Sequence, residues 1–155
     1  MTLHRFHEAQ ADPHVGYETA LAEIRGGRKT SHWIWYIFPQ LAGLGHSSMA
    51  QKYAIRDLAE ACDYLRDPLL RARYEEITTA VSDQLARGSA LEKLMGSRID
   101  ALKLVSSLTL FRAAAERLAT ADPAFARSFA ALVDVILKHA ATQGYPPCAR
   151  TLNLL

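Results

Sequence analysis

The amino-acid sequence predicts an all-α fold with about six to seven helices in a single compact domain. Three Asp-Pro pairs, which begin at Asp12, Asp67 and Asp122, stand directly ahead of segments with helical periodicity. Aspartate caps the free amides of a helix, and proline fits its first turn. Apolar residues in these segments recur at steps of three and four, and no segment shows the period-two alternation of a strand.

Each predicted helix begins or ends at a recognisable signal. Glycines that can adopt left-handed backbone angles follow three of the segments, at Gly26, Gly88 and Gly144. A serine followed three residues later by an acidic residue, as at Ser89 and Ser97, resembles a capping box. The predicted ranges are 13–25, 58–65, 68–87, a short helix through Lys93, 98–119 and 123–142.

The composition is that of an ordinary globular protein. Of the 155 residues, 50% are hydrophobic and 22% are charged, and the formal net charge of +2 does not indicate binding to nucleic acid. Cys62 and Cys148 are far apart and have no metal-ligand spacing, so we expect no metal site, disulfide or cofactor. No apolar run has the length of a signal peptide or a membrane span, so we expect a cytoplasmic protein without membrane contact.

One segment, residues 25–47, differs from a generic amphipathic helix and contains both tryptophans of the chain. We expect Ser31 to cap a short helix over His32–Phe38, which ends because the residue before Pro39 disfavours helical angles. Aromatic residues surround most of this short helix. Packing at the centre of a helical bundle explains them without any function.

The same segment also has the features of a ligand site. Three cations, Arg25, Arg28 and Lys29, precede the aromatic residues, and a glycine-containing loop follows them. Cations bind anions, aromatic rings stack on bases, and exposed amides bind phosphate. Each residue type also has a purely structural explanation. His32 can be a buried structural histidine, the loop glycines can serve turns, and Lys103 can belong to a solvated face of helix 98–119. The candidate ligand-binding residues are Lys29, Trp33, Trp35, Gln40, Gly43, Gly45, Ser47 and Lys103, and the candidate general acid or base is His32.

Residues 29–47, KTSHWIWYIFPQLAGLGHS, form a long and specific pattern of a lysine, His-Trp-x-Trp, Pro-Gln and Gly-Leu-Gly-x-Ser. On this pattern, and on weaker matches over nearly the whole chain, the sequence resembles the bacterial family catalogued as domain of unknown function 1810, whose members are sometimes mislabelled as calpastatin. The resemblance implies a compact α-helical domain and no established reaction. It also leads us to expect an acidic residue two positions before Arg150, where this chain has Cys148.

Three hypotheses for the function follow. In the first, the candidate residues line a pocket for a small anionic or nucleotide-like ligand, and His32 moves a proton if the pocket is an active site. In the second, the aromatic segment and the Gly-Leu-Gly loop form a flat docking surface for a protein partner or for a second copy of the chain in a homodimer. The third, nucleic-acid binding, requires further cations on the same face and is the weakest.

Overall fold

A computed structural model describes residues 3–155, and this part of the chain is all-α, as predicted. The helices are α1 (His4–Gln10), α2 (Tyr17–Arg25), α3 (Ile34–Ile37), α4 (Ser48–Lys52), α5 (Leu58–Arg66), α6 (Pro68–Ala86), α7 (Leu91–Met95), α8 (Arg98–Arg117), α9 (Pro123–Thr142) and α10 (Ala149–Leu154). Within the described range, β-type pairing is limited to one parallel bridge between Leu41 and Ile55.

The predicted number of helices is wrong, since ten helices occur among residues 3–155. Helices α1 and α10 were missed because both begin without a capping side chain that the sequence could reveal. The helix expected over 13–25 begins only at Tyr17, because the Asp12 carboxylate binds the amides of His14 and Val15 and caps a turn instead. The long helices α6, α8 and α9 begin at the predicted residues.

Helix α8 is the central helix of the fold. It packs against α3, α5, α7, α9 and α10, and it carries three buried hydroxyl groups that are all paired. Ser107 bonds the hydroxyl of Tyr74 at 2.9 Å, Ser106 bonds the hydroxyl of Thr151 at 3.1 Å, and Thr109 donates to a carbonyl of the preceding turn at 2.7 Å. These bonds satisfy polar groups inside an apolar core. The bond from Ser106 also fixes α10 against α8.

Two short segments that are distant in sequence are joined by the parallel bridge. The amide of Ile55 donates to the carbonyl of Gln40, and the amide of Ala42 donates to the carbonyl of Ile55, both at 2.8 Å. The chain between the paired positions, residues 42–54, is thereby closed into a loop that contains α4. This loop contains the Gly-Leu-Gly motif and lies beside α8 and α10.

Candidate functional site

The carboxylate of Glu23, on α2, organises the backbone that leads into α3. One oxygen accepts hydrogen bonds from the amides of Thr30 and Ser31 and from the indole N–H of Trp33, at 2.8–2.9 Å. The other accepts a bond from the Ser31 hydroxyl. Partial burial raises the pKa of Glu23, but these hydrogen bonds outweigh it and lower the pKa to about 2. The prediction that Ser31 caps the next helix is therefore wrong, and α3 begins at Ile34 without a side-chain cap.

Lys29 is buried, and its ammonium group is surrounded by partners from the protein. The Nζ atom lies 2.7 Å from a carboxylate oxygen of Asp100, donates to the carbonyl of Ser31 at 2.5 Å, and lies 4.9 Å from the centre of the Trp33 ring. The backbone amide of Lys29 donates to the carbonyl of Leu94 at 2.7 Å. The residue therefore attaches its segment to both α7 and α8.

The two tryptophans occupy different environments. Trp33 has 0% exposure, so no ligand can stack on its ring in this structure. Trp35 is partly exposed, and the Nζ atom of Lys103 lies 5.0 Å from the centre of its ring. The indole N–H of Trp35 is buried and has no hydrogen-bond partner among residues 3–155. Of the two rings, Trp35 is the one that can respond to a ligand.

His32 and Ser47 both lie on the surface. The His32 side chain is exposed. The Ser47 hydroxyl accepts a hydrogen bond from the amide of Ala50 at 3.1 Å and caps α4. Neither residue lines the cavity on which Gln40, Gly45 and Lys103 converge.

Three of the candidate residues line one cavity, which we call the C-terminal cavity. Gln40, Gly45 and Lys103 surround a space of about 340 Å³ between the Gly-Leu-Gly loop, α8 and the segment that leads into α10. The other lining residues are Leu44, Ile99, Leu102, Val105, Ser106, Pro146, Cys148 and Arg150. The volume is at the lower end of the range for small-molecule sites.

The Gly-Leu-Gly loop forms one wall of the C-terminal cavity, and its backbone lies close to α4. A Cβ atom at Gly45 would lie 2.6 Å from the Cβ atom of Ala50, so a larger residue would displace the loop from α4. Gly43 does not line the C-terminal cavity but a neighbouring space of about 150 Å³, together with Gln40 and Gly45. Its carbonyl accepts a hydrogen bond from the Arg150 guanidinium at 3.3 Å, which connects the loop to α10.

The C-terminal cavity combines an apolar lining with positive charge. Lys103 and Arg150 supply its charged groups, and none of the described lining residues is acidic. Asp100 lies one turn before Lys103 on α8, but it pairs with Lys29 and does not line the cavity. Such a space favours a ligand that has both an anionic group and an apolar part.

Cys148 lines the C-terminal cavity immediately before α10, a placement that no sequence pattern predicts. Burial raises the pKa of its thiol, but the hydroxyls of Thr151 and Ser106 and the first amides of α10 outweigh burial and lower the pKa. The Cys148 side chain does not cap α10 with a hydrogen bond. Cys62 differs, since it is buried and burial raises the pKa of its thiol.

We expect iodoacetamide to alkylate Cys148 of the folded protein at least about tenfold faster than Cys62 near neutral pH, because a more acidic and more exposed thiol forms the reactive thiolate more readily. Peptide mass spectrometry after timed quenching measures both rates. The unfolded protein is the control, in which the two cysteines should react at similar rates. Equal rates in the folded protein would contradict the lowered pKa and the partial exposure of Cys148.

Three larger depressions contain none of the candidate residues. One, of about 660 Å³, lies between α2 and α6 and combines two arginines with three acidic side chains. The second, of about 450 Å³, lies between α8, α9 and α10 and includes the ion pair of Arg112 and Asp134. The third, of about 360 Å³, lies between the start of α5 and the end of α10 and contains Arg56, Asp57 and Arg117. All three carry charges of opposite sign, and none has the uniform charge of the C-terminal cavity.

The described residues also give no sign of a metal centre or a membrane segment. No group of three or more histidine, cysteine, aspartate or glutamate side chains in residues 3–155 is arranged to hold a metal ion. In the same range, every helix is too short or too polar to cross a bilayer.

Comparison with known proteins identifies the family. The family model described as "Protein of unknown function (DUF1810)" matches residues 1–139, which include the whole of the 29–47 pattern. The chain belongs to the DUF1810 family. It is also similar to the crystal structure of the conserved hypothetical protein Rv1873 from Mycobacterium tuberculosis, with 37% identity and a TM-score of 0.77 over 99% of this chain and 95% of that chain. No curated protein matches the chain.

The DUF1810 match covers only part of the lining of the C-terminal cavity. Gln40, Gly45 and Lys103 lie within the matched residues, whereas Pro146, Cys148 and Arg150 lie beyond them. The family resemblance drawn from the sequence pattern is confirmed. Because the DUF1810 family has no described function, the chemistry of this site has to be argued from its own residues.

Proposed function

We propose that the protein binds a small organic anion in the C-terminal cavity. The observation that supports this most strongly is the convergence of Gln40, Gly45 and Lys103 on one concave space that is open to solvent, together with the absence of acidic groups from its described lining. The sequence pattern predicts all three as ligand-binding residues from their chemistry alone. Helical packing alone does not require them to meet.

The polar groups of the C-terminal cavity have distinct roles in this proposal. The ammonium of Lys103 and the guanidinium of Arg150 bind the anionic group, and the guanidinium supplies paired donors for two oxygens. The side-chain amide of Gln40 orients the ligand. Lys29 and Trp33 are supporting residues, because their polar groups are already paired with Asp100 and Glu23. Proton transfer by His32 has no part in the proposal, since His32 does not line the cavity.

The test is a titration that follows intrinsic tryptophan fluorescence with small organic anions. We expect a saturable change that comes from Trp35, because Lys103 lies over its ring while Trp33 is fully buried. Replacement of Lys103 by methionine should weaken binding by at least about tenfold, the usual effect of losing a charged hydrogen bond. Trp35→Phe should remove the signal, and isothermal titration calorimetry would then show whether binding persists.

Lys93→Met is the matched control for Lys103→Met. Lys93 is exposed on α7 and does not line the C-terminal cavity, so its replacement changes the net charge equally and should leave the affinity unchanged. Equal weakening by both variants would indicate a nonspecific effect of charge. A flat response to every anion, in both fluorescence and calorimetry, would overturn the proposed function.

A further inference from the structure

We infer that the ligand of the C-terminal cavity is an amphipathic carboxylate, with a single carboxylate group and an alkyl chain, and not a nucleotide. This inference rests on the proposed function and specifies its ligand class. Three features of the cavity support it: the distribution of its apolar side chains, the number of its cations and the absence of an accessible aromatic ring from its described lining.

The apolar side chains of the cavity come from separate parts of the chain. Leu44 belongs to the Gly-Leu-Gly loop, Ile99, Leu102 and Val105 belong to α8, and Pro146 precedes α10. Two of them remain open to solvent, since Ile99 is 65% exposed and Leu102 is 45% exposed. An apolar chain that entered the cavity would cover apolar surface that the fold leaves in water, and affinity should rise with the surface covered.

The cations of the cavity are sufficient to neutralise one carboxylate. Lys103 and Arg150 provide two cations, and the Arg150 guanidinium has the planar donor geometry that a carboxylate accepts. The Ser106 hydroxyl, a further polar group of the lining, is already shared with Thr151. A nucleoside di- or triphosphate carries more negative charge than these two cations neutralise, and most of its remaining surface is polar.

A nucleotide base also lacks a stacking partner in the C-terminal cavity. None of the described lining residues is aromatic. Trp33 is fully buried, and the ring of Trp35 is already faced by Lys103. Because base recognition depends largely on stacking and on hydrogen bonds to the base edge, the aliphatic lining favours an alkyl chain.

The inference is tested by protection of Cys148 from alkylation. Cys148 lines the cavity, whereas Cys62 is buried elsewhere and serves as an internal reference. The rate of alkylation by iodoacetamide, a neutral reagent, is measured with the unmodified protein in the presence of butyrate, hexanoate, octanoate and decanoate, each below its micellar concentration. Methyl octanoate is the uncharged control, and AMP is the nucleotide probe.

We expect the carboxylates to slow the alkylation of Cys148 saturably, with an affinity that rises about fourfold for each added methylene until the chain exceeds the cavity. Methyl octanoate should bind at least about tenfold more weakly than octanoate. Lys103→Met and Arg150→Met should each reduce this difference between acid and ester, and circular dichroism shows whether each variant is folded. The chain-length series uses the unmodified protein, so the test does not depend on those variants.

The other outcomes separate the two proposals. If AMP protects Cys148 and the carboxylates do not, the inference of a carboxylate ligand is overturned and the proposed anion site stands. An affinity that is independent of chain length, or equal for acid and ester, also overturns the inference. If no probe protects Cys148 and none changes the tryptophan fluorescence, the proposed function fails together with the inference.

Discussion

Replacement of Lys29 by methionine should lower the free energy of unfolding by about 3–5 kcal/mol, the range for breaking one side of a buried ion pair. The ammonium group lies 2.7 Å from the carboxylate of Asp100, and the two side chains are only 5% and 18% exposed. Removing the cation leaves a largely buried carboxylate without its partner and removes the charge beside the Trp33 ring. Urea denaturation, followed by circular dichroism, measures the change.

A double-mutant cycle with Asp100→Asn shows whether the loss comes from the ion pair. Asp100→Asn should destabilise the protein less than Lys29→Met, and the double variant should be more stable than the sum of the single effects predicts, by at least about 1 kcal/mol. Lys93→Met is the surface control and should change the free energy of unfolding by less than about 0.5 kcal/mol. Strictly additive effects would contradict a direct interaction between Lys29 and Asp100.

Replacement of Glu23 by alanine should lower the free energy of unfolding by about 2–4 kcal/mol, because several donors then lose their acceptor together. The most affected donor is the indole N–H of Trp33, which is fully buried and binds the carboxylate at 2.9 Å. Near-ultraviolet circular dichroism should also change, since the carboxylate holds the backbone that precedes Trp33. Glu18→Ala, an exposed change on the same helix, is the control and should cost less than about 1 kcal/mol.

The lowered pKa of Glu23 predicts a pH dependence with a defined sign. The pKa is about 2 in the folded protein and has an ordinary value of 4.5, so the unfolded chain binds the proton more readily. The stability that this carboxylate contributes is fully present above about pH 5 and is lost as the pH falls towards about 2. Denaturation of Glu23→Gln over the same pH range should show a smaller loss. Equal losses in the two proteins would contradict a carboxylate that is hydrogen-bonded in its ionised form.

The parts of the fold that the sequence predicted correctly depend on local interactions. The carboxylates of Asp67 and Asp122 and the hydroxyl of Ser97 accept hydrogen bonds from the first turns of α6, α9 and α8. Each cap joins residues that are two or three positions apart, so the sequence order itself reveals it. Ser31 has the same local pattern, but the prediction that it caps α3 is wrong. Its hydroxyl donates instead to the carboxylate of Glu23, a stronger acceptor eight positions away.

The candidate site was predicted in its residue types and only partly in its positions. Lys29 and Lys103 are both cations that the sequence analysis predicts as ligand-binding, yet Lys29 is buried against Asp100 and Lys103 lines the cavity. The distinction depends on which residues of α8 face the segment before α3, and periodicity does not specify that contact. Cys148 and Arg150 come to this site through α10, a helix without a capping side chain, so no local pattern indicated their proximity to Gly43 or Gln40.

The parallel bridge between Leu41 and Ile55 has a consequence for the thermodynamics of ligand binding. Its two backbone hydrogen bonds hold Gln40 in place and close the loop that contains Gly45. The conformational entropy of this wall is therefore lost during folding, and a ligand that enters afterwards has little backbone to order. Such preorganisation predicts that the amides of Ala42 and Ile55 exchange slowly with solvent whether or not the C-terminal cavity is occupied.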